Sequence, residues 1–264
     1  MRTLLVRGML AGLVAGAVAA LFAYLVGEPP VEAAIGLEQA DPAAPDPHGH
    51  DPAAPDPRGH DTHDHAEELV SRGVQRTLGL LTAVGGYGVA VGGLLALAFA
   101  VVHGRVGRQR PRVTAVLLTG AVFTSAVLVP FLKYPANPPA VGRPETIGDR
   151  TGLYFGFVAL SVVFAIAAAW LGRALADRLG GWTGGLLGSA GYLVAVLACA
   201  WLLPTVSEVP ADFPATTLWS FRVASLGTQL TLWLVLGLVF ATLADRALTG
   251  SGARGPARPH LSVH

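Results

Sequence analysis

Six runs without a single charged residue organise this chain: Gly8–Gly27, Leu78–Val102, Val113–Leu132, Thr151–Gly172, Leu179–Ser207 and Val223–Ala244. Crossing the hydrocarbon core of a bilayer takes about 20 apolar residues in a helix. Backbone in lipid must satisfy its own hydrogen bonds, which leaves helices or closed barrels. Barrel strands alternate apolar and polar over about ten residues, and no such alternation is visible. The pattern predicts an all-α, polytopic integral membrane helical bundle with six transmembrane helices.

The first run has two readings. Arg2 and Arg7 ahead of an apolar stretch fit a cleaved signal peptide. Against that, the run is longer than a signal core, and Gly8, Gly12 and Gly16 recur every fourth residue, continued by Ala20. Small residues at that spacing make a flat stripe on which another helix can pack, which favours a retained helix. Gly88 with Gly92, Gly152 with Gly156, and Gly184 with Gly188 are expected to be packing positions of the same kind.

Composition agrees with lipid as solvent. Only 13% of the 264 residues are charged against 52% hydrophobic, about half the charge of an ordinary soluble domain. A formal net charge of +1 gives no footprint for nucleic acid. The single cysteine, Cys199, excludes a disulfide framework.

Charge also predicts orientation. With the amino terminus inside, eleven of the 18 basic residues fall in short cytoplasmic segments, and 15 of the 17 acidic residues fall outside. The basic bias is the topological signal. It places both termini in the cytoplasm of a plasma-membrane protein, residues 245–264 forming a tail.

Between the first two runs, residues 28–76 form the expected extracytoplasmic loop. It contains a tandem repeat, DPAAPDPHGH over 41–50 and DPAAPDPRGH over 51–60, a composition that buries too little apolar surface to offset chain entropy. His48, His50, His60, His63 and His65 alternate with Asp and Gly. Imidazole binds Co²⁺, Ni²⁺, Cu²⁺ and Zn²⁺, and Asp adds oxygen ligands. Such a tract predicts weak metal capture on a flexible chain; the other reading is a solvated acidic spacer.

Two further patterns concern the outer side. Arg76, Arg150 and Arg222 each precede a returning helix, 74 and 72 residues apart, and each follows a proline-containing segment. Three hairpin repeats would give that spacing, as would ordinary basic flanks at headgroup level. Glu28, Glu32, Asn137, Glu145, Glu208 and Asp212 all lie in outer segments. If the loops converge they form a mouth that concentrates divalent cations; otherwise they are surface charge. Pro130 and Pro204 are expected to stop or kink their helices.

The runs themselves carry no Asp, Glu, Lys or Arg, so the usual marker of an intramembrane ion route is missing. Their Thr and Ser residues, Thr119, Ser125, Ser225 and Thr228 among them, are expected to hydrogen-bond between helices. No phosphate-binding GxxxxGK[ST] loop, no intramembrane histidine pair for haem and no hydrolase motif occurs. No catalytic residue is assigned, and the expectation is a non-enzyme without a tightly bound cofactor.

Several segments resemble the predicted cobalt transporter subunit family CbtA. They are the opening Arg2–Gly8 run into a Gly/Ala helix ending in Glu28-Pro29, the His-rich first loop, and the stretch Val129–Pro139. Leu203-Pro204, Glu208–Pro214 and Leu218–Arg222 continue the likeness. The resemblance covers nearly the whole chain. It implies cobalt uptake linked to cobalamin supply, and pairing with a small single-span, histidine-bearing subunit, CbtB. It also implies five spans where the residues give six. The expected function is the membrane subunit of a divalent-metal uptake transporter, moving Co²⁺ or Ni²⁺/Zn²⁺. A non-transporting scaffold or metal-sensing subunit is the alternative.

Overall fold

The computed structural model describes residues 1–40, 78–105, 109–139 and 141–249. Six of its helices are long and apolar enough to cross a membrane: Arg2–Gln39, Leu80–Val102, Pro111–Lys133, Pro144–Leu179, Gly181–Leu202 and Ala215–Thr249. Among the described residues there is no strand. We label the elements α1 (Arg2–Phe22), α2 (Glu28–Ala40), α3 (Leu80–Val102), α4 (Pro111–Phe123), α5 (Val129–Lys133), α6 (Ile147–Leu179), α7 (Gly181–Leu202) and α8 (Ala215–Thr249).

Two spans contain a proline without stopping. A π-helical turn, Ala23–Gly27, joins α1 to α2 just ahead of Pro29 and Pro30, and another, Thr124–Leu128, joins α4 to α5 ahead of Pro130. Proline lacks an N–H and clashes with the carbonyl four residues back. Widening the preceding turn relieves that clash at the cost of one register shift. The first helix therefore runs on to Ala40, so residues 28–40, expected to open the outer loop, are helical. Pro130 likewise leaves its span helical as far as Lys133. Pro204, in contrast, lies just past the end of α7.

Close backbone approach holds α1 to α3. A Cβ on Gly16 would come within 2.8 Å of the Gly85 Cα, and one on Gly12 would collide with the Gly88 carbonyl. Ala11, Ala15, Ala19 and Ala96 are buried around this seam, with Phe99, Leu232, Leu236 and Phe240 completing the core against α8. α4 packs on the same helix α8.

The second unit is the α6–α7 hairpin, which turns on Gly180 alone, at φ +87°. Gly172 meets Gly184 and Gly188 across it: a Cβ on Gly184 would lie 2.5 Å from the Gly172 carbonyl oxygen. Ser161 and Tyr192 share a 2.9 Å hydrogen bond between the same helices. The hairpin meets the other helices at α5 and the turn before it.

Two expectations are corrected. Gly152 and Gly156 have nothing within 4 Å of an added Cβ, so they are not packing positions. Thr119, Ser125, Ser225 and Thr228 donate to carbonyls four residues back in their own helices, at 2.8–2.9 Å. A hydroxyl one turn from a carbonyl reaches it with no partner helix needed.

Trp182 and Trp201 stand at the two ends of α7, 82% and 85% exposed. Nineteen residues of helix span about 28 Å, close to the thickness of a hydrocarbon core. Indoles at those two levels fit the interfacial aromatic belts of membrane proteins.

Candidate functional site: an arginine-lined cleft at the proline end

One end of the bundle carries the segments 134–146 and 203–214, both rich in proline, and they are tied to each other and to the helices by polar side chains. Lys133, in the last turn of α5, donates to the Leu203 carbonyl at 3.1 Å, and the Tyr134 hydroxyl donates to the Pro204 carbonyl at 2.8 Å. Proline segments leave carbonyls without helical partners, and these two donors satisfy a pair of them. Desolvation by burial raises the Tyr134 pKa above its ordinary value of 10.0; a tyrosine is protonated, and so a donor, at neutral pH in either case.

Glu208 is the knot between the loops. Its Oε1 accepts from Thr146 Oγ1 at 2.6 Å, its Oε2 accepts from the Arg143 backbone N–H at 3.1 Å, and Arg150 Nη1 lies 3.2 Å from Oε2. The Thr146 hydroxyl first, then the Arg143 amide and the nearby guanidinium, hold the carboxyl below the ordinary carboxylate pKa. Hydrogen bonds to the ionised form favour it in this way.

Arg150 owes its position to Gly142. That glycine sits at φ +113°, and a Cβ there would stand 2.5 Å from Arg150 Nη1. Arg150 also donates to the Arg143 carbonyl at 3.3 Å, while its Nε is buried and makes no hydrogen bond among the described residues. Arg222, near the start of α8, donates through Nη2 to Asn137 Oδ1 at 3.0 Å and through Nε to the Ala136 carbonyl at 3.3 Å.

Arg150 and Arg222 face a common open cleft of about 740 Å³, whose wall includes Asn137, Thr151, Tyr154 and Ser207. Among the described residues no carboxylate lines it. The sequence placed both arginines ahead of helices but did not join them; the spacing of 72 residues was the available signal. Arg76, the third of that series, lies outside the described residues.

Of the six residues expected at a mouth, Asn137 is in the cleft wall and Glu208 is bound to Arg150 beside it. Glu28 is half-buried and Glu32 exposed on α2, while Glu145 and Asp212 are exposed on the two loops. Among the described residues, no three His, Cys, Asp or Glu come together as a metal-holding group. His48, His50, His60, His63 and His65 lie outside the described residues. His103 ends α3 and stacks on Phe99 at 5.0 Å.

Six apolar spans, a glycine-packed interior and a polar cluster where two loops meet define a multi-pass helical membrane protein. The model of one family, described as probable cobalt transporter subunit (CbtA), matches residues 1–245, and the chain belongs to that family. No curated protein and no solved structure matches it.

Proposed function

We propose that this chain is the membrane subunit of a divalent-metal uptake transporter, with Co²⁺ as cargo and Ni²⁺ or Zn²⁺ as weaker alternatives. The observation that carries the reading is family membership across residues 1–245 of a chain with six membrane-length helices. In this reading the proline end faces outward and both termini lie in the cytoplasm, as the basic residues predict. The His/Asp tract then stands on the outer side, where His48, His50, His60, His63 and His65 collect ions at low concentration and release them readily. Glu28, Glu32, Glu145 and Asp212 add negative charge around the entry, while Asn137 and Glu208 hold the two arginines in place. A transporter subunit implies partners, and a small single-span subunit of the CbtB type is the one proposed.

The test is flux. Cells lacking their own importers should accumulate Co²⁺ when they express the chain with its partner. Liposomes carrying the same proteins should show metal-dependent flux. Metal binding without flux would assign the chain to the scaffold or sensor class instead.

A further inference from the structure

The cleft at the proline end has the wrong charge for a bare dication. Among the described residues its wall carries two arginines and no carboxylate. Glu208, the acid bonded to Arg150 beside the cleft, is also held by Thr146 and the Arg143 amide. Among the described residues Arg222 is bound only to neutral acceptors, the Ala136 carbonyl and the Asn137 side chain, and no carboxylate there bonds its guanidinium. Arg150 keeps a buried Nε–H with no acceptor among the described residues. Arginine presents several donors in a plane and is suited to carboxylate and phosphate oxygens. Thr151, Tyr154 and Ser207, each bearing a hydroxyl, line the same wall.

We propose that this cleft is an oxyanion site, taking a carboxylate- or phosphate-bearing ligand between Arg150 and Arg222. The shared chemistry is an oxygen anion of headgroup or small organic-acid size, in a cleft of about 740 Å³. A soluble acid and the phosphate of an anionic lipid both present it. The site goes beyond metal transport: binding is an equilibrium property of the protein, and its failure would leave the flux result untouched.

The full chain in detergent micelles at low salt is titrated with radiolabelled citrate and with inorganic phosphate. In parallel it is placed in nanodiscs of phosphatidylcholine with or without phosphatidylglycerol, and retained lipid is counted by native mass spectrometry. Saturable binding of either soluble anion is expected, weakened about tenfold or more in Arg222→Gln, as loss of one charge-assisted contact implies. Ser207→Asp, which adds a competing carboxylate to the wall at a residue bonded to neither arginine, is expected to weaken it similarly and decides the matter if Arg222→Gln does not fold. Selective retention of phosphatidylglycerol, lost in the same variants, supports the site with lipid as the source. No saturable anion and no retained lipid would overturn it, as would binding unchanged in the folded variants.

Discussion

Arg150 on α6 and Glu208 on the loop after α7 are joined by an ion pair of 3.2 Å. The pair is more than a surface contact, because Glu208 also accepts from Thr146 and from the Arg143 amide. An exposed ion pair alone contributes little; a carboxylate holding two loops and a helix together fixes their geometry.

That arrangement has a pH signature. The folded-state pKa of Glu208 lies below its ordinary value of 4.5, so the folded protein binds a proton there less readily than the unfolded chain. Its stabilisation is therefore complete above the unfolded pKa and is lost as pH falls through the folded one. Thermal unfolding in detergent should show a melting temperature that drops as pH is lowered from about 5 towards 3, with Glu208→Gln reducing the slope. An identical slope in the variant would remove Glu208 from this role.

Gly142→Ala should disturb the cluster from the other side. Alanine at φ +113° is strained by about 1–3 kcal/mol, and its Cβ would displace the Arg150 guanidinium from 2.5 Å away. Arg150 can swing aside, so the protein should still fold. The expected result is a lower melting temperature with a smaller response to Glu208→Gln, because the ion pair is already broken while Thr146 and the Arg143 amide still bond the carboxylate. A double-mutant cycle on the two positions measures this; full additivity would mean that Gly142 does not place Arg150.

The six spans were legible because hydrocarbon imposes a length and a charge rule that each run meets separately. Helix ends were less legible: α6 and α8 carry Arg150, Arg173, Arg222 and Arg246, and helices continue past the apolar core once water or headgroups can solvate such side chains. Pro130 reads in sequence as a stop or a kink, and the relief that keeps its span helical lies in a widened turn upstream, which no residue type marks. Gly8, Gly12 and Gly16 showed their partner-facing stripe, but Gly152 and Gly156 have the same spacing and face open space; spacing gives a face, and only the fold supplies the neighbour. For the site, Arg150 and Arg222 were visible as a pair of positions. Their convergence on one cleft depends on contacts with Glu208 and Asn137 far along the chain, which periodicity does not encode.

The α1–α3 seam gives a sharp steric prediction. Gly12 has no room for a Cβ against the Gly88 carbonyl, whereas Gly86 on α3 has nothing within 4 Å. Gly12→Leu should force the two helices apart at a cost of about 3 kcal/mol or more, abolishing a monodisperse peak in size-exclusion chromatography. Gly86→Leu should leave that peak unchanged. A mature protein whose amino terminus begins after residue 27 would show that α1 is removed, and a normal peak from Gly12→Leu would show that the seam does not form.

The histidine tract makes the last prediction, and its sign follows from imidazole chemistry. The metal ligand is neutral histidine, so protons and Co²⁺ compete for the same nitrogens and binding weakens below about pH 6. Deleting Asp41–His65 should lower Co²⁺ uptake at limiting metal without abolishing it, because this reading gives the tract collection and not passage. Raising Co²⁺ should restore the deletion to the full rate, since a collector matters only when ions are scarce. Lowering the external pH from 7 to 5.5 should reduce uptake by the full chain more than uptake by the deletion. Equal uptake by the two chains at limiting Co²⁺ would remove the capture role, and an equal pH effect would place the titrating group elsewhere.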